Sequence, residues 1–345
     1  MRRDGDAART VAAGCDARVS GTITGSTDLE SGVMPQVAWT GMTDPRPPPP
    51  HVNSMSGFEL RTNPDAVPGA PRPRIGRYRA NGTTLYTEVR GAGSAVLLIP
   101  GGAEDAEGWR PIAERLSGHT VVTYDRRGTL RSGRQDWPGA GSAQHADDAA
   151  ELLRKLGLGD VVVFGGSSAG VIAAQLAIRH EALVRRALVY EPGYLRCVQG
   201  AQDLRTRVVA ALDAHLRRYP GDWAGAYGAF ARAATPDPGP EAHGFLEPPP
   251  GKDWYGQREE GNAEAIVRDD IPILTDELVD EASLAATSVD VRFSYGGDSG
   301  AIFRDIAVHL AAVRGDIPDV IDGVGHALYF HPDPAAAYLR ARIPP

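Results

Sequence analysis

The pattern of apolar and polar positions divides the chain near residue 75. Residues 1–74 show neither the period of two typical of strands nor the period of 3.6 typical of helices, and they contain a run of prolines at 47–50. Such a segment buries too little apolar surface to offset the entropy lost on ordering. We therefore expect residues 1–74 to form a disordered tail. All four methionines lie in it, so Met55 is an alternative translation start.

Beyond residue 75, strand patterns alternate with helix patterns. Residues 75–90 predict two strands joined by a hairpin turn at Asn81-Gly82. Residues 95–99 and 161–166 are unbroken apolar runs, which are typical of strands buried on both faces, and segments of helical spacing follow each of them. This alternation predicts an α/β fold with a mostly parallel sheet and helices on both faces.

The alternation stops between residues 194 and 287 and then resumes. This stretch has helical pieces around a Pro/Gly-rich segment and no strand pattern. We therefore expect an α/β core formed by residues 75–193 and 288–345, with residues 194–287 inserted as a helical cap. The insertion carries aromatic side chains that are candidates for a pocket or for ordinary packing within the cap: Trp223, Tyr227, Phe230, Trp254 and Tyr255.

Composition narrows the classes of function. The formal net charge of −8 argues against sequence-independent binding of nucleic acid, which needs a positive field. No apolar run is long enough to cross a membrane. We expect that the amino-terminal residues are not a signal peptide, because the apolar stretch before Cys15 is short and Asp4 and Asp6 precede it. Cys15 and Cys197 have neither a disulfide nor a metal-site spacing. We expect a cytoplasmic protein that acts on a small molecule, without metal or cofactor, because no phosphate-binding or dinucleotide motif is present.

The strongest chemical signal is a G-x-S-x-G motif, Gly166-Ser167-Ser168-Ala169-Gly170, between a predicted strand and a predicted helix. In that setting the central serine occupies a sharp, strained turn at the carboxyl edge of the sheet. Ser168 is therefore the predicted nucleophile. Choosing Ser167 instead would put Ala169 where the second glycine belongs. The amide of Ala169, directly after Ser168, is the predicted first oxyanion donor.

A serine nucleophile needs a base, and the base needs an orienting acid. His326 follows an apolar strand on a loop and is the predicted base, ahead of His331, which begins a helix. Asp298 follows another strand at the same edge and is the predicted acid. Glu191, at the end of the strand before the insertion, is the alternative acid, so the choice between these two carboxylates stays open.

The second oxyanion donor is expected in the loop after the 95–99 strand. That loop reads Pro100-Gly101-Gly102-Ala103, and the amide of Gly102 is the predicted donor, with Ala103 as its neighbour. The same Pro-Gly-Gly sequence is also compatible with a plain turn.

Over residues 75–345 these landmarks together resemble the α/β-hydrolase superfamily. The matching segments, in the order of the family, are LLIPGG, YDRRGTLRSG, GSSAG, SYGGD and GVGH. Pro100 stands where many members have His, and Leu130 stands where a glycine is usual. The resemblance implies an eight-stranded, mostly parallel sheet with a helical cap over the pocket. It does not imply a substrate, because this fold hosts many chemistries.

A serine at the turn between the strand and the helix, the position called the nucleophile elbow in this fold, indicates hydrolysis of a carboxylic ester or lactone through an acyl-serine intermediate. Epoxide hydrolases and haloalkane dehalogenases of this fold use an aspartate at that position. Cofactor-free haloperoxidase or perhydrolase activity and hydroxynitrile lyase activity occur on similar triads and remain alternatives. The third alternative is a ligand-binding protein that has this fold but no catalytic activity. Such a protein would not need the set of Ser168, Asp298 and His326. The physiological substrate and the oligomeric state do not follow from the sequence.

Overall fold

The computed structural model describes residues 63–138, 141–234 and 253–344. Most of the predicted tail, with Met55 and Cys15, lies outside the described residues. The part that is described, 63–73, runs beside the first helix. Within it the N–H of Asn63, a buried residue, donates to the carboxylate of Glu107 at 3.1 Å. The backbone N–H of Val67 donates to Glu114 at 2.6 Å.

The centre of the molecule is an eight-stranded sheet with the order β1-β2-β4-β3-β5-β6-β7-β8. Strand β2 is antiparallel to both of its neighbours, and β3 to β8 are parallel to one another. This confirms the predicted mostly parallel sheet. The strands are β1 Arg74–Ala80, β2 Thr83–Arg90, β3 Ala95–Ile99, β4 Thr120–Tyr124, β5 Val161–Gly166, β6 Val184–Tyr190, β7 Asp290–Gly296 and β8 Asp319–Ile321.

Helices connect the parallel strands and also fill the described part of the insertion between β6 and β7. A π-helical turn, Ile266–Asp270, lies between α6 and α7, and a 3₁₀ turn, Leu328–Phe330, precedes α10. The helices are α1 Arg110–Glu114, α2 Gly141–Lys155, α3 Ser168–Arg179, α4 Gln199–Arg218, α5 Trp223–Ala234, α6 Asp253–Ala265, α7 Ile271–Asp276, α8 Glu281–Ala286, α9 Ala301–Val313 and α10 Pro332–Arg340.

The predicted hairpin turn is present between β1 and β2. Ala80 pairs with Thr83, so Asn81 and Gly82 form a two-residue turn. Their φ angles are +44° and +85°, the left-handed region that a type I′ turn requires at both positions. Asn and Gly are the residues that tolerate this region at least cost, which is why the dipeptide fixes the register of the pair.

Continuous apolar sequence produces the buried centre of the sheet. Every residue of β3 is buried, and so are the first five residues of β5, because helices cover both faces. Helix α3 packs against β5 and β6 and is itself mostly buried. Each large aliphatic side chain removed from water here contributes about 1.5–3 kcal/mol. The parallel direction then brings the carboxyl ends of β3, β5, β6, β7 and β8 to one edge of the sheet.

Buried ion pairs connect the helices between β6 and β7 to the loops that follow β3 and β4. Nε of Arg258 in α6 lies 3.1 Å from both carboxylate oxygens of Asp105. Nη2 of Arg126, which follows β4, lies 2.7 and 2.6 Å from the two oxygens of Asp270 in the π-helical turn. All four side chains are almost completely buried, so loss of one partner would leave an uncompensated charge. These pairs hold the helices above the carboxyl edge of the sheet.

None of the helices within the described ranges is long and apolar enough to cross a membrane.

Candidate active site

A strained backbone marks the turn between β5 and α3. Ser167 has φ 57° and ψ −123°, a region that residues with a side chain rarely adopt. Its N–H donates to the C=O of Tyr190 at 3.0 Å, and its C=O accepts from the N–H of Gly193 at 3.2 Å. The end of β6 therefore holds this conformation in place. The sequence led us to expect the strained turn at Ser168; the structure corrects this, because Ser167 forms the turn and Ser168 is already the first residue of α3.

Close packing of α3 on β5 explains why the turn falls one residue earlier than expected. A Cβ atom on Gly165 would lie 2.2 Å from the backbone oxygen of Ala169, so this position accepts only glycine. A Cβ on Gly166 would meet its nearest neighbour at an ordinary 3.4 Å. The strictly required glycine thus lies two residues before Ser167, and the motif in the fold is Gly165-Gly166-Ser167-Ser168-Ala169.

Because the turn lies at Ser167, a different residue supplies the backbone amide that directly follows it. The residue directly after Ser167 is Ser168, whereas the sequence-based expectation gave this place to Ala169. Both amides belong to the first turn of α3, where N–H groups have no acceptor within the helix. Ser168 is 3% exposed and, like Ser167, it lines the pocket above the sheet edge.

His326 lies in the loop after β8 and lines the same pocket as Ser167. Its Nδ1 atom is 2.6 Å from Oε2 of Glu191. The other oxygen of Glu191 accepts the N–H of Gly296 at 2.7 Å, and the side chain is fully buried. The ring of Phe303 stacks on the imidazole with 4.2 Å between centroids. The stacking on Phe303 and the hydrogen bond at Nδ1 together hold the imidazole in one orientation.

The carboxylate beside His326 is thus the alternative, Glu191, rather than Asp298. A ring nitrogen forms a single strong hydrogen bond, and Glu191 occupies Nδ1. Asp298 is exposed, and its backbone N–H donates to the C=O of Val324 at 3.0 Å. Glu191 reaches the ring because its backbone adopts φ 42° directly after β6, which turns the side chain along the sheet edge.

The Pro-Gly-Gly loop after β3 forms another wall of the pocket. Gly102 lines it, as expected for an oxyanion loop, and a Cβ on Gly102 would lie 2.5 Å from the carboxylate of Asp270. The approach of the insertion therefore requires glycine at this position. The neighbouring amide of Gly101 is occupied, since it donates to Oε2 of Glu104 at 2.9 Å.

The rest of the described pocket wall is largely apolar. Of the five aromatic candidates in the insertion, Tyr227, Phe230 and Tyr255 line it, whereas Trp223 and Trp254 are not among the described lining residues. Aliphatic side chains complete this part of the wall: Leu195, Leu204, Val208, Ile266, Ile271, Leu274 and Leu328.

Glu104 is a pocket residue that the sequence did not reveal. Its Oε2 accepts the Gly101 N–H and also the indole N–H of Trp109 at 2.6 Å. Burial raises the pKa of Glu104 to about 7, although these two hydrogen bonds and the charge of Arg126 lower it. The carboxylate of Asp270 adds to the rise. The available signal was an acidic residue two positions after a Gly-Gly loop, which the sequence alone does not distinguish from a solvated turn.

Within the described residues, no cluster of three or more His, Cys, Asp or Glu side chains has the arrangement needed to hold a metal ion. The polar side chains among the described lining residues include hydroxyl, imidazole and carboxyl groups.

Comparison with known proteins gives consistent results. A family model described as alpha/beta hydrolase fold matches residues 94–246. The hydrolase YraK of Bacillus subtilis is 39% identical over 127 residues, which cover 36% of this chain and 47% of YraK. The putative carbamate hydrolase RutD of Azorhizobium caulinodans is 34% identical over 142 residues, covering 39% of this chain and 53% of RutD. The chain thus matches about half the length of these curated relatives.

A solved structure agrees over a longer range. An alpha/beta hydrolase from Sphaerobacter thermophilus aligns with a TM-score of 0.58 and 26% identity, covering 76% of this chain and 98% of that protein. The strand order, the helix-covered parallel sheet and these similarities lead to one conclusion: the chain has the α/β-hydrolase fold.

Proposed function

We propose that the protein is a serine hydrolase that cleaves a carboxylic ester or lactone, with Ser167 as nucleophile, His326 as base and Glu191 as orienting acid. The observation that carries the proposal is the contact between His326 Nδ1 and the buried carboxylate of Glu191, in the pocket that Ser167 also lines. A carboxylate at Nδ1 keeps the proton on that nitrogen, so Nε2 carries no proton and can act as the base. The strained backbone of Ser167 supports its choice over Ser168, since strain of this kind is typical of a nucleophile elbow.

The reaction then has two stages. Oγ of Ser167 attacks the substrate carbonyl while Nε2 of His326 takes the hydroxyl proton, and the charge on Glu191 stabilises the resulting imidazolium. The amides of Ser168 and Gly102 donate to the oxyanion of the tetrahedral intermediate. His326 returns the proton to the leaving alkoxide, and an acyl-Ser167 ester remains. Water, activated by His326, hydrolyses this ester and releases the acid.

The apolar wall supports a substrate with a hydrophobic group. Residues of the insertion supply much of that wall, which agrees with a division into a core of 75–193 and 288–345 and a cap of 194–287. We include this division in the proposal. A carbamate is a second candidate substrate, because relatives of 34% identity or less are named putative carbamate hydrolases. The same acyl-transfer chemistry applies to its carbonyl group.

The test is covalent labelling with a fluorophosphonate, measured by intact mass on the wild type, Ser167→Ala and Ser168→Ala. The probe reacts with a serine whose hydroxyl is activated by a base. We expect one adduct on the wild type and on Ser168→Ala, and none on Ser167→Ala. Labelling that is lost only in Ser168→Ala would return the nucleophile to Ser168. A folded wild type without any adduct would overturn the serine mechanism. Where labelling succeeds, a panel of acyl esters, lactones and carbamates then ranks the substrates.

A further inference from the structure

One side of the pocket, beside the Gly101 loop, combines a carboxyl group with aromatic rings. We propose that Glu104, with Trp109, Tyr255 and Tyr329, forms a subsite for a cationic group of the substrate, such as a substituted ammonium. The inference deepens the proposed function, on which it rests: it names esters that carry a positive charge close to the scissile bond as the preferred substrate class.

The side chains with a formal charge that line the pocket are acidic, and this favours binding of a cation. None of its described lining residues is Lys or Arg, whereas Glu104 and Asp270 both line it. Asp270 is neutralised by the buried guanidinium of Arg126 at 2.6 Å. Within the part of the chain that the structure describes, Glu104 accepts hydrogen bonds from two neutral N–H groups, both on Oε2. Among the described residues no cationic side chain forms an ion pair with Glu104, although the charge of Arg126 lowers its pKa. A cationic ligand would therefore bind to the ionised carboxylate and favour that form.

Aromatic rings complete the environment that an ammonium group prefers. The indole of Trp109 donates to Glu104, and its ring centroid lies 6.4 Å from that of Tyr329. Tyr329 stacks on Tyr255 at 5.2 Å, and the two hydroxyl groups are hydrogen-bonded to each other at 2.8 Å. A cation close to the face of an aromatic ring is attracted by the electrons of the ring, and this attraction is stronger where water is excluded. All three rings line the same pocket.

The subsite is next to the reacting centre. A single atom placed as a Cβ on Gly101 would be 3.3 Å from Oε1 of Glu104 and 3.6 Å from Oγ of Ser168. Ser168 directly follows the proposed nucleophile, Ser167. Oε1 is also the oxygen of Glu104 that does not hold the Gly101 and Trp109 N–H groups. A cation on Oε1 would therefore lie close to the first turn of α3, which directly follows the proposed nucleophile.

The test uses two substrates of the same shape that differ in charge. Butyrylcholine carries a trimethylammonium group, and 3,3-dimethylbutyl butyrate carries a neutral tert-butyl group in its place. The ratio of their kcat/KM values is measured for the wild type, Glu104→Gln and Glu260→Gln. Gln keeps an oxygen that accepts the Gly101 and Trp109 N–H groups but has no charge. Glu260→Gln is the matched control, because it removes the same charge from an exposed position of α6.

We expect the wild type and Glu260→Gln to favour the cationic ester by about tenfold or more, and Glu104→Gln to lose most of that preference and keep only the part that the aromatic rings supply. The ratio is insensitive to any general loss of activity in the variant. A wild type that favours the neutral ester, or a preference that is undiminished in Glu104→Gln, would overturn the subsite.

Failure of the subsite and failure of the serine mechanism are separable by a binding measurement. Choline and 3,3-dimethylbutan-1-ol are titrated against wild type and Glu104→Gln and followed by ligand-observed NMR, which needs no turnover. Tighter binding of choline by the wild type that is lost in Glu104→Gln supports the subsite even if no fluorophosphonate adduct forms. Equal binding of the two alcohols by a wild type that does form the adduct overturns the subsite alone.

Discussion

Replacement of Glu191 by Gln should abolish most of the activity without unfolding the protein. Oε1 of Glu191 accepts the Gly296 N–H at 2.7 Å, so the amide oxygen of Gln is expected to stay on that donor. The amide NH₂ then faces Nδ1 of His326, at the position where Oε2 now lies 2.6 Å away. Nδ1 must accept this hydrogen bond, so the ring proton moves to Nε2. An imidazole protonated at Nε2 cannot accept the proton of Ser167.

The expected loss is about 10³–10⁴-fold in kcat, or ~4–5.5 kcal/mol in the activation free energy, which is the scale of a wrong tautomer in a serine triad. The assay is hydrolysis of a p-nitrophenyl ester, with circular dichroism to verify folding. Asp298→Asn is the matched control: the side chain is exposed and should change kcat by less than about twofold. A thousandfold loss in Asp298→Asn, together with near-normal Glu191→Gln, would refute the assignment of Glu191.

Three further predictions concern stability. Gly165→Ala places a Cβ 2.2 Å from backbone and should cost about 1–3 kcal/mol in urea unfolding, whereas Gly159→Ala, with open space around it, should stay within about 0.5 kcal/mol. Arg127→Met leaves the buried carboxylate of Asp148 unpaired and should cost about 3–5 kcal/mol, measured in the same way; a cost under about 1 kcal/mol would contradict the buried pair. The pKa of Glu104 is raised from 4.5 to about 7, so the folded state binds more protons than the unfolded state in that interval. The stability of the wild type relative to Glu104→Gln should therefore fall as pH rises from 4.5 to about 7 and then level off, and a flat difference would contradict the raised pKa.

Local sequence rules were sufficient where each element is specified by its own residues. The Asn81-Gly82 dipeptide fixed the hairpin because few other residues accept two positive φ angles in succession. The apolar run at 95–99 predicted a central strand because only a strand covered on both faces buries every side chain. His326 was placed correctly at the sheet edge because it follows the last strand. In each case the necessary contact is close in sequence or follows from strand direction.

The site assignments required distances that a sequence pattern does not contain. Two serines in succession fit a glycine motif in two frames, and the structure favours Ser167 through the contact of Gly165 with the backbone of α3. Glu191 and Asp298 both follow parallel strands, so the pattern places both near His326. The φ angle of +42° at Glu191 determines which carboxylate reaches Nδ1.

The sequence by itself therefore determined the fold class, the order of its elements and the edge of the sheet where the chemistry lies. These three features depend on the period of apolar positions and on strand direction, and both can be recognised from short segments of the sequence. Only the tertiary structure decided which serine occupies the strained turn, which carboxylate holds the imidazole, and that Glu104 faces the pocket. Those outcomes depend on ångström-scale packing between residues that are, in the case of Glu191 and His326, 135 positions apart in the sequence.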